Sequence, residues 1–313
     1  MSEFALSVLS ACCVAAGTAP VPVILDTDIG GDIDDTWALA MLLGEPGVDL
    51  KLIVTGFDDT PAKTRLTAKI LERVGRTDVP IGTGVKTSDR KLNQAAWLGD
   101  YTLDQYPGKV HEDGVKAMID AIHASPVPVT LMAIGPVTNV GEALRRDPSI
   151  AKNARVVTMA GGVYVGYDNK PTPEPECNVV NDIPAFRALL AAPWDIVMSP
   201  VDGCGDMRIR GDRYAAVRDS ESPLARVVVE NYDLWEHRKH QPADSSSILF
   251  DTVAAYLTYD EAYCDLRTVK VSVSDEGITV PDGNGRAVSC QLGWKDRAAF
   301  EDLIVRTLTR KSR

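Results

Sequence analysis

The densest concentration of reactive side chains is Asp26-Thr27-Asp28-Ile29-Gly30-Gly31-Asp32-Ile33-Asp34-Asp35, which puts five carboxylates into ten residues. Crowded carboxylates repel one another, and a hard divalent cation relieves that repulsion. An all-oxygen donor set favours Ca²⁺ or Mg²⁺. The plainer reading is an acidic turn in water, with Asp34 capping the helix that follows. Position favours the first reading. The run follows an apolar stretch and leads into a helix, and open α/β sheets bind ligands beyond the carboxyl ends of their strands. An EF-hand is excluded, because its closing Glu position falls at Trp37 and no helix precedes the loop.

The elements that must hold these groups read as alternating strands and helices. Val21 to Leu25 is a short apolar run, as a buried parallel strand should be. A helix is predicted over Asp34 to Leu43, stopped by Gly44 and Pro46. Leu50 to Phe57 reads as a strand, and Pro61 to Gly75 as an amphipathic helix with Leu66, Ile70 and Val74 on one face. The alternation resumes with a strand at Val127 to Ile134 and a helix at Val137 to Arg146. A strand at Arg155 to Ala160, a helix at Pro184 to Ala191 and a strand at Asp195 to Ser199 come next. Leu266 to Val280 reads as a β-hairpin turning at Asp275-Glu276-Gly277, and Arg297 to Thr309 as a last helix. Repeated β-α-β units imply an α/β fold: one Rossmann-like, open, mostly parallel sheet with helices on both faces.

Composition narrows the partners. The chain has 313 residues, 45% hydrophobic and 25% charged, which is globular and neither low-complexity nor wholly disordered. A net charge of −11 argues against a nucleic-acid polymer, whose phosphates need a positive face. The cysteines (Cys12, Cys13, Cys177, Cys204, Cys264 and Cys290) show no C-x-x-C pair and no zinc spacing. Phe4 to Ala16 is apolar, and Leu9-Ser10-Ala11-Cys12 resembles a bacterial lipobox, although Glu3 stands where an export signal carries Lys or Arg. Residues 1–20 therefore read either as an export or lipid-anchor segment on Cys12 or as a tail, and residues 21–313 as one catalytic domain. The location is cytoplasmic under the second reading and exported or lipid-anchored under the first. No later stretch reaches the roughly 20 apolar residues of a membrane span.

The acidic loop, continuing through Asp35-Thr36-Trp37-Ala38-Leu39, resembles the N-terminal fingerprint of the calcium-dependent nucleoside hydrolases, the inosine-uridine preferring type, in its longer DTDIGxDxDD form. Four further segments match in order. Ile134-Gly135-Pro136-Val137-Thr138-Asn139 is similar to a strand-to-helix turn of that family, and Met159 to Gly162 to its Met-x-Gly-Gly strand end. Glu176-Cys177-Asn178 resembles its Glu-Phe-Asn ribose segment, and Phe250-Asp251-Thr252-Val253-Ala254 its last metal-binding Asp. The resemblance covers roughly residues 21–310 and implies hydrolysis of the N-glycosidic bond of ribonucleosides to ribose and free base. It implies one Ca²⁺ held by Asp28, Asp34, Asp35, Asp251 and the main-chain carbonyl of Ile134, with Asp28 activating a calcium-bound water. Asp26 would orient the ligands without touching the ion. Asp34, Met159, Asn169, Glu176, Asn178 and Asp251 would contact the sugar. The family also implies a homodimer or homotetramer.

The leaving-group side departs from the pattern. Phe250 stands where many members have an acidic His, Asp58-Asp59 where many have Asn, and Cys177 where they have Phe. Asp59, Trp97, Trp235, His237, His240 and Phe250 are the candidates for the base pocket. Trp97 either stacks on a base or anchors its loop, and the two His residues either donate a proton or end a helix in water. Two rival functions stand beside hydrolysis. One is a non-catalytic calcium- and ribose-binding module that has lost the acid at Phe250. The other is a phosphohydrolase, suggested by Ile24-Leu25-Asp26-Thr27-Asp28 but opposed by Gly30 where that motif wants Thr or Val.

Overall fold

The computed structural model describes residues 19–310. The segment containing Cys12, and with it the export-signal reading, lies outside the described residues. Strands run at Val21–Thr27 (β1), Val48–Thr55 (β2), Ile81–Thr83 (β3), Val110–His111 (β4), Val129–Ala133 (β5), Ala154–Met159 (β6), Ile196–Ser199 (β7), Cys264–Val273 (β8), Thr279–Pro281 (β9) and Arg286–Trp294 (β10). They form one sheet in the order β4-β3-β2-β1-β5-β6-β7-β10-β8-β9. Every pair from β4 to β10 is parallel, while β10 to β8 and β8 to β9 are antiparallel.

The central strands are apolar on both sides because helices cover both faces. On one face Trp37, Leu39, Leu66, Val228, Val253 and Phe300 form a core with Leu25 and Ile53. On the other, Met118, Ile122, Val140, Phe186 and Trp194 pack on Ile24, Leu131 and Val156. This is the open, mostly parallel α/β sheet that the alternation predicts, with the late hairpin present as β8 and β9.

Three differences matter. The second strand ends at Thr55 and does not reach Phe57, because Phe57 and Asp58 both adopt left-handed backbone (φ +59° and +50°) and turn the chain away. β10 is absent from the sequence reading. Its alternation is broken by a bulge between Gln291 and Gly293, and it follows the turn-like Asp282-Gly283-Asn284-Gly285, so it reads as loop. Yet it inserts between β7 and β8 and joins the hairpin to the parallel sheet. The helices Gly114–Ala124 and Pro223–Leu234 also escaped the sequence reading, and both bury one face.

Candidate active site

The acidic loop leaves the carboxyl end of β1, between β2 and β5. Its glycines serve close approach. Gly30 has φ +103°, and a Cβ there would lie 2.0 Å from Leu92 Cδ2. Across the pocket, a Cβ on Gly135 would lie 2.7 Å from Cβ of Asp28, so the turn after β5 must lack a side chain for Asp28 to sit there.

The loop is held by donors from distant segments. Asn93 N donates to Gly30 O (2.9 Å), Trp235 Nε1 to Gly31 O (3.1 Å) and Gln94 Nε2 to Asp32 O (2.7 Å). Asp34 does not cap the next helix: Ile33 holds the cap position, and Asp34 and Asp35 are its first two residues, both buried. Asp251 likewise lies inside the helix Phe250–Leu257, and its amide donates to Asp34 Oδ2 at 3.3 Å. Asp34, Asp35 and Asp251 each offer a carboxylate oxygen, all within 4.8 Å of one another. Burial, reinforced by mutual repulsion, pushes all three well above the usual carboxylate range. A set of buried, oxygen-only donors whose charge a cation would stabilise fits a hard cation.

Around this centre the supporting groups are fully engaged. Asn139 Nδ2 donates to Asp26 Oδ1 (2.7 Å) and Thr55 O (3.2 Å), and Asn139 Oδ1 accepts from Val85 N (2.8 Å), tying β1 to β2. Burial raises Asp26 to about 7 against the opposing effect of the Asn139 hydrogen bond. Thr27 Oγ1 donates to Asp35. Asn178 Nδ2 donates to the carbonyls of Ile134 (3.2 Å), just after β5, and of Met159 (3.0 Å), at the end of β6. Glu176 accepts from Gly161 N (2.8 Å), Asn178 N (3.0 Å) and Tyr167 Oη (3.1 Å). Of these, Asp35, Ile134, Met159, Tyr167, Glu176 and Asn178 line a cavity of about 470 Å³, the size of a small-molecule site.

With the geometry in view, comparisons with known proteins decide the family. The model of the inosine-uridine preferring nucleoside hydrolases matches residues 23–302. This chain belongs to that family. The nucleoside hydrolase is 34% identical to the non-specific ribonucleoside hydrolase RihC of Salmonella newport, over 86% of this chain and 90% of the relative. It is 30% identical to the pyrimidine-specific ribonucleoside hydrolase RihA of Shewanella woodyi, over 93% and 99%. A purine-preferring ribonucleoside hydrolase from Gardnerella vaginalis has the same fold (TM-score 0.77, 20% identity, 92% of this chain and 98% of that one). The chain is thus an N-ribosyl hydrolase, and neither the binding module nor the phosphohydrolase is favoured.

The nucleoside hydrolase brings most of its sequence-predicted site residues to one cavity. Asp28, Asp34, Asp35, Ile134, Met159, Glu176, Asn178, Trp235, His237, Phe250 and Asp251 all line it. Four do not. Asn169 is exposed on a left-handed turn (φ +57°), and Tyr167 occupies the wall instead. Asp59 caps the helix Thr60–Arg73 by accepting from Ala62 N at 3.3 Å, and its neighbour Asp58 faces the cavity. Trp97 is buried, with the Lys69 ammonium 4.5 Å from its ring centroid, so it anchors the loop and reaches no base. His240 is exposed and stacked behind His237, ring centroids 6.4 Å apart.

Sequence reasoning missed Lys63, Arg90, Asn93 and Tyr167 on the cavity wall. Tyr167 packs edge-on against Phe250, centroids 6.1 Å apart, and a Tyr two residues before the suspected Asn was a signal within reach. Lys63 carried none, since it lies in an otherwise ordinary amphipathic helix.

Proposed function

We propose that this nucleoside hydrolase cleaves ribonucleosides with Asp28 as general base and with Asp34, Asp35, Asp251, Asp28 and the Ile134 carbonyl as the holders of one Ca²⁺. The observation that carries the reading is the convergence of three buried carboxylates, from two segments far apart in sequence, beside Asp28 in one cavity. When bound, calcium would supply positive charge that acidifies a pocket water and engages sugar hydroxyls.

The chain's own groups do the rest. Asp28, half-buried and pushed up by burial, takes a proton from water at the anomeric carbon as the bond to the base breaks. Glu176 and Asn178, fixed by main-chain partners, orient the ribose hydroxyls. The sugar passes through an oxocarbenium-like state, which the surrounding carboxylates favour electrostatically. Phe250 cannot donate a proton, and neither Trp97 nor His240 reaches the cavity. His237, on the rim beside Trp235 and 3.3 Å from Asn93 Nδ2, is the group we assign to protonating the departing base.

The test is reducing-sugar release from a panel of purine and pyrimidine ribonucleosides, on chelated protein and after calcium is restored. Release that vanishes with chelator and returns with calcium is expected. Release indifferent to every divalent ion would overturn the metal assignment, and no release from any nucleoside would overturn the substrate class.

A further inference from the structure

Lys63 is the one lysine or arginine that is buried among the described residues, at 3% exposure. It projects from the helix Thr60–Arg73 into the cavity wall, and its Nζ donates to the main-chain oxygen of Asp28. That carbonyl takes the hydrogen bond, so the ammonium is not consumed in a close carboxylate pair. Its charge acts through space on Asp28 and Asp35. Around it Asp26, Asp34, Asp35, Glu176 and Asp251 are all buried carboxyl groups. The other cations on the cavity, Arg90 and Lys91, are exposed at its rim, where water screens them.

Uncompensated buried acids are costly, and a fixed positive charge among them offsets part of that cost. The same charge must oppose a second cation entering the pocket, since coupling between two ligands or charges is reciprocal. We propose that Lys63 is a positioning residue that serves as a resident counter-cation: it lets the acidic loop fold before metal arrives and holds calcium affinity below what the carboxylates alone would give. The calcium part rests on the metal reading above.

The experiment compares wild type with Lys63→Gln, which keeps a donor but removes the charge, and Lys63→Arg, which keeps the charge. Calcium affinity is measured by titration calorimetry, and melting temperature is measured in chelator at low and high salt. Lys63→Gln should bind calcium on the order of tenfold tighter. Its chelated form should melt lower than wild type, and calcium should close the gap. Lys63→Arg should keep both properties near wild type. Equal or weaker calcium binding by Lys63→Gln would overturn the proposal, because a merely structural lysine predicts a damaged site. Should Lys63→Gln fail to fold, the double variant Lys63→Gln, Asp35→Asn restores the charge balance. Metal-free folding near wild type then supports the counter-charge, and further loss overturns it. If wild type itself binds no calcium, the metal reading fails, while the melting comparison in chelator still decides whether Lys63 acts by charge.

Discussion

The two halves of the cavity are built differently. The half that the proposed function assigns to the sugar is the buried one: Asp34, Asp35, Asp251, Glu176 and Asn178 are all buried, and the turns after β5 and β6 supply partners to Glu176 and Asn178. The half that the proposed function assigns to the base is made mostly of loops, with Phe250 at the start of a helix. His237, Arg90 and Lys91 are exposed there and Phe250 and Tyr167 are half-buried; Tyr167 is tied to Glu176 and packs edge-on against Phe250, while the His237 ring has one side-chain partner, Asn93 at 3.3 Å. Rigid positioning is worth most where charge develops on a sugar of constant shape, and variable loops suit a leaving group that differs between substrates. The difference between relatives, pyrimidine-specific in one and non-specific in another, fits that division.

The largest effect that would break the comparison is on the acids. Asp28→Asn should lower kcat/KM by roughly a thousandfold. Asp251→Asn should match that loss and also abolish the rise in melting temperature on adding calcium. A mild Asp28→Asn phenotype would move the general base elsewhere. Next comes the rim. His237→Ala should reduce kcat on natural nucleosides by about a hundredfold. On p-nitrophenyl riboside, whose leaving group needs no proton, the loss should shrink to a few-fold. An equal loss on both substrates would mean that His237 only shapes the loop.

Acidity supplies a third test. Asp34, Asp35 and Asp251 have raised folded-state pKa values, and Asp26 rises to about 7, so the metal-free folded state binds more protons than the unfolded chain. Its stability should therefore fall as pH rises from about 4 toward 7. Calcium competes with those protons, so its affinity should climb over the same interval and its binding should flatten the melting profile. Differential scanning fluorimetry with and without chelator checks both. The smallest effect lies outside the cavity: Trp97→Phe should cost about 1 kcal/mol of stability through the lost ring area and weakened cation–π contact, with kcat/KM unchanged.

The acidic half was legible residue by residue because its meaning is local. A strand, two glycines, five aspartates and a helix lie within one short run, so a candidate cation site is visible there, while the choice among those aspartates came from the family resemblance. Glu176 with Asn178, and Phe250 with Asp251, could be named for the same reason, each lying in a short motif that matches the family. The rim was not legible in this way. Trp97 and His240 lie in plausible segments, and nothing in their neighbours says that one ring turns into the core and the other into water. The hidden strand β10 and the buried Lys63 are further cases, since each depends on what packs against it.

By itself the amino-acid sequence determined the α/β alternation, the acid-rich turn at a strand's carboxyl end, the family, and the absence of an acid at Phe250. Only the tertiary structure decided that Asp251 reaches Asp34 across 217 residues, that His237 rather than Trp97 faces the cavity, and that one lysine stands among the acids. The physical reason is range. Backbone sterics and side-chain periodicity act over a turn or two, whereas burial, electrostatic coupling and cavity lining depend on the crossovers that bring distant strand ends together.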